Sequence, residues 1–261
     1  MNSFGIEDSL KSEFMGTSIL NNAVEAIKSS KHMLAFTGAG ISIESGIPPF
    51  RGETGLWSKY DPIVLDINYF KSYPKESWTV VKEIFYDFFG QAKANDAHIA
   101  LAKLESVGII KSIITQNIDN LHQEAGSKNI IEFHGNSHAL ECLECSNKYK
   151  IEELDFEKLP VKCPSCKGLV KPDFVFFGEG IPPMAYDDSM EQANLADLVL
   201  IIGTTGEITP ASYIPHICKQ NGATIIEINP EKSKFTDVIT DIYLDSPASD
   251  ALNLIVNELK L

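Results

Sequence analysis

Six short apolar runs punctuate the chain: Met33–Phe36, Ile109–Thr115, Ile130–Phe133, Leu198–Ile202, Thr224–Ile228 and Ile239–Leu244. They are rich in Ile and Val, and helical or loop segments separate them. Shortness and β-branching predict strands, and continuous apolar character predicts burial on both faces, as in a parallel sheet covered by helices. From Thr17 to Ser30, residues Ile19, Leu20, Ala23, Val24 and Ile27 mark one helical face, with Thr17 or Ser18 able to cap it. A second helix near Asp96–Glu105 carries Ala97, Ile99, Ala100, Leu101 and Leu104. Residues 58–93, with Asp61-Pro62, Tyr73-Pro74 and the aromatic stretch Trp78 to Phe89, read as a helical segment. At helical spacing these aromatics belong to a core rather than to a cofactor box.

The Lys- and Glu-rich stretch 137–170 interrupts the alternation of strands and helices. It holds four of the five cysteines as two tight pairs, Cys142-Leu-Glu-Cys145 and Cys163-Pro-Ser-Cys166, with seventeen residues between them. Two C-x-x-C turns at this spacing predict a zinc ribbon, because each aims two sulfurs at one centre and together they complete a tetrahedral shell. Two disulfides are the alternative, but the chain shows no export signal, and a reducing compartment disfavours them. Four thiolates leave no open position, so the zinc is expected to be structural. Cys218 lies in an apolar helical stretch and reads as a small core residue.

The fold expected is therefore α/β, a Rossmann-like parallel sheet with a small domain made of a zinc ribbon and a helical insertion. The large domain is expected from 17–51, 95–136 and 171–261, the helical module from 52–94 and the ribbon from 137–170. The net charge of −14 argues against nucleic-acid binding, which needs clustered Lys and Arg. An acidic surface suits basic partners such as lysine-rich peptides, or simply solubility. No apolar run approaches the roughly 18–20 residues that span a bilayer. No targeting segment is recognisable at the N-terminus, where Glu7, Asp8 and Glu13 do not suit a transit peptide, and a cytoplasmic enzyme is expected.

The most informative stretch is Gly38 to Trp57. A predicted strand running into Gly38-Ala39-Gly40 is how a nucleotide-binding turn begins, with glycines allowing close approach to a pyrophosphate. Ile43 stands at the third glycine position of G-x-G-x-x-G, so the pattern departs from the usual dinucleotide fingerprint. Arg51 is the only arginine, and a fixed fork of donors suits phosphate. Polar segments follow three other strands: Thr115-Gln116-Asn117-Ile118-Asp119, Phe133-His134-Gly135 and Gly203-Thr204-Thr205. Ligands of parallel sheets bind outside such strand ends. His134 is distinguished by the glycine that follows it, whereas His98 and His122 sit in helical patterns and are expected to pack.

Taken in order, the Gly38–Trp57 block, Gln116–Asp119 with Leu121-His122, His134-Gly135, the four cysteines, Phe177-Gly178-Glu179, Gly203–Thr205 and Ile228-Asn229-Pro230-Glu231 resemble the motifs of the sirtuin family of NAD-dependent protein deacylases. The resemblance covers about residues 30 to 256. It implies that an acyl-lysine peptide and NAD bind between the two domains, and that the products are free lysine, nicotinamide and an O-acyl-ADP-ribose. It further implies that His134 is the general base, with Asn117 and Asp119 completing the catalytic group. NAD contacts are implied for Gly38, Ala39, Gly40, Ser42, Pro48, Phe50, Arg51, Trp57 and Gln116 to Asp119, including Ile118. On the same grounds Gly203, Thr204 and Thr205 serve phosphates or ribose, and Asn229, Pro230, Glu231 and Ala248 lie on the adenosine side. Val175, Phe176, Phe177, Gly178, Gly206 and Glu207 are the implied substrate contacts, and Cys142, Cys145, Cys163 and Cys166 the zinc ligands.

Two other readings remain open: an NAD hydrolase or ADP-ribosyltransferase using the same cleft, and a non-enzymatic NAD-binding or zinc-ribbon interaction module. The clearest departure from the family is Gly206-Glu207-Ile208, where many sirtuins are apolar. Gly206 implies a roomier or more flexible edge, and Glu207 either faces solvent or meets the peptide.

Overall fold

The computed structural model describes residues 18–50 and 55–261. Helix α1 spans 18–29, and Thr17 lies outside the described residues. Strand β1 (Met33–Thr37) leads into a 3₁₀ turn over Ala39–Ser45. The stretch read as one helical segment is broken by its prolines into α2 (Leu56–Lys59), a 3₁₀ turn (Pro62–Leu65), α3 (Ile67–Ser72) and α4 (Pro74–Val81). Pro62 and Pro74 each begin a new turn, where their missing N–H costs nothing. A π-helical turn follows over Lys82–Phe88. Next come α5 (Asp96–Ser106), β2 (Ile110–Thr115), α6 (Leu121–Glu124) and β3 (Ile130–Glu132). The ribbon strands are β4 (Gly135–Cys142), β5 (Lys148–Lys150) and β6 (Val170–Phe174). The chain ends with α7 (Pro183–Leu195), β7 (Leu198–Ile202), α8 (Tyr213–Gln220), β8 (Thr224–Ile228), β9 (Ile242–Leu244) and α9 (Ala248–Glu258).

The main sheet has the order β3-β2-β1-β7-β8-β9, and every pairing in it is parallel. Alternate side chains of β1 enter different cores. Met33 and Ala35 join α1, α5 and α9 through Ala23, Leu101 and Leu252. Leu34 and Phe36 join α7 and α8 through Ala193 and Ile214. This two-sided burial is what the continuous apolar runs encode. Strand β9 is shorter than expected because Ile239 is buried in a loop rather than paired in the sheet.

A third core joins residues 47–89 to the ribbon through Phe70, Trp78, Leu140, Val170 and Phe176. Trp78 is fully buried, and its indole N–H donates to the Val170 carbonyl at 2.9 Å. Truncating it to Ala would cost about 3–5 kcal/mol. The ribbon sheet has the order β5-β4-β6 and is antiparallel. No helix among the described residues is long and apolar enough to cross a membrane.

Candidate active site

The sheet order reverses between β1 and β7, which are neighbours although most of the chain lies between them. The crevice outside their carboxyl ends is where open parallel sheets bind ligands. The Gly38 N–H donates to the Ile202 carbonyl at 3.0 Å and the Gly40 N–H to the Gly203 carbonyl at 2.8 Å. A Cβ on Gly38 would lie 2.8 Å from both the Gly203 oxygen and the Thr204 Cβ, so only glycine lets the two strand ends meet this closely as a cradle. Such a cradle fits a pyrophosphate.

Polar side chains from β2 and β7 close around it. The Gln116 amide donates to the Thr204 hydroxyl at 3.1 Å. The Asn117 amide donates to the Gly38 carbonyl and to the Ser42 hydroxyl, both at 3.2 Å. Ser42 donates to the Asp119 carboxylate at 2.7 Å, and the other oxygen of Asp119 accepts the Leu121 N–H that opens α6. On the far side, the Asn229 amide donates to the Thr204 carbonyl at 3.1 Å. Pro230, Glu231 and Thr205 are exposed beside it. Ala248 is buried at the start of α9, whose Ser249 N–H donates to the Glu44 carboxylate at 3.1 Å.

His134 stands between buried Phe133 and Gly135, at the start of β4. Its Nδ1 lies 3.0 Å from the Gln116 carbonyl oxygen, so the Nδ1–H donates there and the Nε2 lone pair is left to accept a proton. Burial lowers its pKa from the ordinary 6.5, against the opposing effect of that hydrogen bond. The His134 carbonyl accepts from the Val175 N–H at 2.8 Å. The next residues tie the strip to the helical module: the Phe177 N–H donates to the Leu65 carbonyl and the Ile67 N–H to the Phe177 carbonyl. Phe177 is exposed, whereas Phe176 turns inward against Phe70 and Phe174, with ring centroids 5.2 and 5.0 Å away.

The Phe50 and Trp57 rings are tilted against each other with centroids 5.5 Å apart, and Trp57 lies 6.4 Å from Phe177. Pro48 lines a neighbouring cavity of 470 Å³ with Leu56, Lys59, Tyr60, Glu83 and Ile84. Ile118 is buried, and its carbonyl accepts the Ser137 hydroxyl at 2.7 Å. Arg51 lies outside the described residues. The expectation of a roomy edge at Gly206 is corrected here. Gly206 adopts φ +73°, and the Phe235 ring fills the space a Cβ would need, at 2.9 Å. Glu207 is exposed.

Packing alone does not describe His98 and His122. Both are buried, edge to face at 5.0 Å. The His122 Nε2 meets the Thr37 hydroxyl at 2.9 Å, and His98 stands behind Ser42 with its Nδ1 2.9 Å from the Asn95 side-chain oxygen. They therefore floor the crevice from α5 and α6, a placement that no local pattern announces.

The four ribbon sulfurs lie within 4.8 Å of one another, and all four cysteines are free of disulfides. The Cys142–Cys166 and Cys145–Cys163 sulfurs are 3.4 and 3.7 Å apart. Tetrahedral Zn–S bonds of about 2.3 Å place sulfurs about 3.8 Å apart, so the cluster fits one zinc ion. The Tyr149 hydroxyl lies 3.0 Å from the Cys163 sulfur.

A family model described as the Sir2 family matches residues 38–210. A Pyrococcus abyssi protein named NAD-dependent protein deacylase is 45% identical over 241 residues, which cover 90% of this chain and 95% of that protein. A Caldivirga maquilingensis protein named NAD-dependent protein deacetylase is 43% identical over 242 residues, covering 91% and 93%. A solved Sir2 homologue in complex with NAD superposes with a TM-score of 0.85 at 38% identity, covering 92% of this chain and 93% of the other. A Sir2 structure with a deacetylated p53 peptide and 3′-O-acetyl-ADP-ribose superposes with a TM-score of 0.85 at 34% identity, covering 92% and 98%.

Proposed function

Because this chain belongs to the Sir2 family, we propose that its crevice performs NAD-dependent deacylation of protein lysine, with His134 as the base. One observation carries the assignment of the base: the Gln116 carbonyl pins Nδ1–H, so the opposite ring nitrogen is a neutral acceptor, and Gln116 itself is bonded to Thr37 and Thr204 at the ends of β1 and β7. When bound, NAD would supply an electrophilic ribose carbon; acyl-lysine, NAD and one water then give free lysine, nicotinamide and an O-acyl-ADP-ribose.

The chain's own residues divide the rest of the work. His134 Nε2 takes a proton from a ribose hydroxyl, which calls for an imidazole that is neutral near pH 7. Asn117, Asp119 and Ser42 hold one another by hydrogen bonds and present fixed dipoles and charge to the reacting end of NAD. The glycine cradle, Gln116 and Thr204 seat the phosphates, and Asn229 with Ala248 supports the adenosine side. Phe50 and Trp57 exclude water, and Arg51 orders their loop. Val175 to Gly178 line the acyl-lysine, with Gly206 and Glu207 at the opposite edge. Zinc holds the ribbon together and takes no part in the chemistry.

In this reading residues 17–51, 95–136 and 171–261 form the NAD domain, 52–94 the helical module and 137–170 the ribbon. The location is cytoplasmic, since zinc binding needs the four thiols reduced.

The test is to incubate the protein with NAD and an acetyl-lysine peptide and to resolve the products by mass. O-acetyl-ADP-ribose is expected. Free ADP-ribose alone would point to hydrolysis or ADP-ribosyl transfer, and no turnover to a non-enzymatic module.

A further inference from the structure

Lys171 is the only lysine that is buried among the described residues. Taking an ammonium out of water is costly, and only complete pairing offsets the cost. Here the pairing is complete. Nζ donates to the Phe174 carbonyl at 2.6 Å and the Pro172 carbonyl at 2.8 Å, and it meets the Glu179 carboxylate at 3.1 Å. It also lies 4.4 Å from the centroid of the Phe176 ring, within cation–π range. Burial pulls its pKa down from 10.5, and Glu179 pulls it back up. An apolar side chain could fill the same space without that cost, so the charge needs another reason to be there.

That reason lies in what the pair encloses. The same Glu179 oxygen accepts the Phe176 N–H at 2.8 Å, and the Glu179 N–H donates to the Phe176 carbonyl at 3.0 Å. Lys171 thus grips the carbonyls at the end of β6, while Glu179 grips the strip that follows. Between them run Val175, Phe176, Phe177 and Gly178. Val175 is bonded to the backbone carbonyl of His134, which fastens the start of the strip to β4. None of the hydrogen bonds of Lys171 or Glu179 reaches the residues of the nucleotide cradle.

We infer that Lys171 and Glu179 are positioning residues for the acylated peptide: their ion pair sets the path of Val175–Gly178 and leaves the NAD side alone. This rests on the deacylase reading given above. The pair acts as one unit, so removing either partner should loosen the strip.

Lys171→Met keeps most of the stem and removes the charge, whereas Glu179→Gln keeps an acceptor for Phe176. Wild-type turnover of an acetyl-lysine peptide is measured first, and its absence would count against the deacylase reading itself. Peptide binding by fluorescence anisotropy, with NAD left out, tests the pair without relying on turnover. In Lys171→Met the peptide KM and Kd should rise by about tenfold or more, with the KM for NAD within about twofold of wild type. Glu179→Gln should move the same quantities in the same direction by a smaller factor, and the double variant should be no worse than Lys171→Met. If Lys171→Met does not fold, the Glu179→Gln comparison decides. A purely structural pair would lower the melting temperature and leave the two KM values in their wild-type ratio. That result, or an unchanged peptide affinity in the folded variants, would overturn the inference.

Discussion

Gly40 and Gly203 meet backbone to backbone: the Gly40 N–H donates to the Gly203 carbonyl at 2.8 Å, and a Cβ on Gly40 would stand 2.5 Å from the Gly203 Cα. The contact closes the crevice floor between β1 and β7. Gly203 also has φ +61°, a region costly for other residues. Neither atom has a flexible side chain that could move aside, so Gly40→Ala must separate the two strand ends. It should cost about 1–3 kcal/mol in stability and raise the KM for NAD by about tenfold or more. Thermal melting and NAD titration of the initial rate measure both. A folded Gly40→Ala protein with wild-type NAD affinity would remove this contact from the cofactor site.

His134 should leave its mark on the pH profile. Its pKa lies below 6.5 because burial disfavours the imidazolium. The neutral imidazole therefore persists to lower pH than a free one, and the midpoint of the acid limb of kcat/KM should lie on the acid side of pH 6.5. His134→Ala should lose about 10²–10⁴ in rate while keeping its zinc and its melting temperature. An acid limb unchanged in position and depth in that variant would mean that another group titrates.

Acid should unfold the protein partly through His122. The Thr37 hydroxyl donates to Thr115, so it accepts from the His122 Nε2–H; the His122 Nδ1 has no hydrogen-bond partner, and burial pushes its pKa down to about 3. The unfolded chain binds a proton near pH 6.5, and the folded one does not until about pH 3. Stability from this group is thus full above pH 6.5 and is lost progressively as pH falls towards 3. Between pH 7 and pH 5 the loss should be about 2 kcal/mol, read from urea denaturation at the two values. The same pH dependence in His122→Asn would assign the effect to other residues.

Metal removal should act on the fold. Structural zinc contributes folding free energy, so Cys142→Ser or Cys166→Ser should lose metal and unfold the ribbon. About one zinc per chain is expected by metal analysis. Chelated protein that retains both its melting temperature and its deacylase activity would contradict a structural role.

The acyl group removed should be neutral. Reading the distal carboxylate of a succinyl or malonyl group needs a free cation near the acyl chain, and Arg51 is proposed for the cofactor loop. Lys59, the nearby substitute, is already engaged: its ammonium donates to the Tyr60 hydroxyl at 2.7 Å and lies 3.5 Å from the Glu83 carboxylate. An acetyl-lysine peptide should turn over at least about tenfold faster than its succinyl counterpart. Glu83→Gln, which releases Lys59, should narrow the gap. Faster succinyl turnover by the wild type would refute the assignment.

Much of this protein is legible along the chain. Continuous Ile- and Val-rich runs mark strands buried on both faces, because a residue's need to leave water is written in its own side chain. The two C-x-x-C pairs announce their metal for a similar reason: a tight turn puts both thiols of a pair at one centre. The glycines, Asn117, Asp119 and His134 stand at strand ends, where the end of an apolar run is visible by itself, and their resemblance to known motifs names the family.

What remained hidden depends on residues that are far apart in the chain. Spacing cannot say that β7 lies beside β1, nor that Gly203 therefore touches Gly40. It cannot show that Phe235 fills the space above Gly206, that Phe176 turns inward while Phe177 does not, or that Lys171 is buried against Glu179. His98 and His122 look like ordinary helix residues until α5 and α6 are packed beneath Ser42 and Thr37. Local pattern determines which side chains must be buried and where the chain can turn. Which buried surfaces then face one another is decided by close packing of the whole sheet and its helices, because shape and hydrogen-bond complementarity exist only between surfaces already brought together.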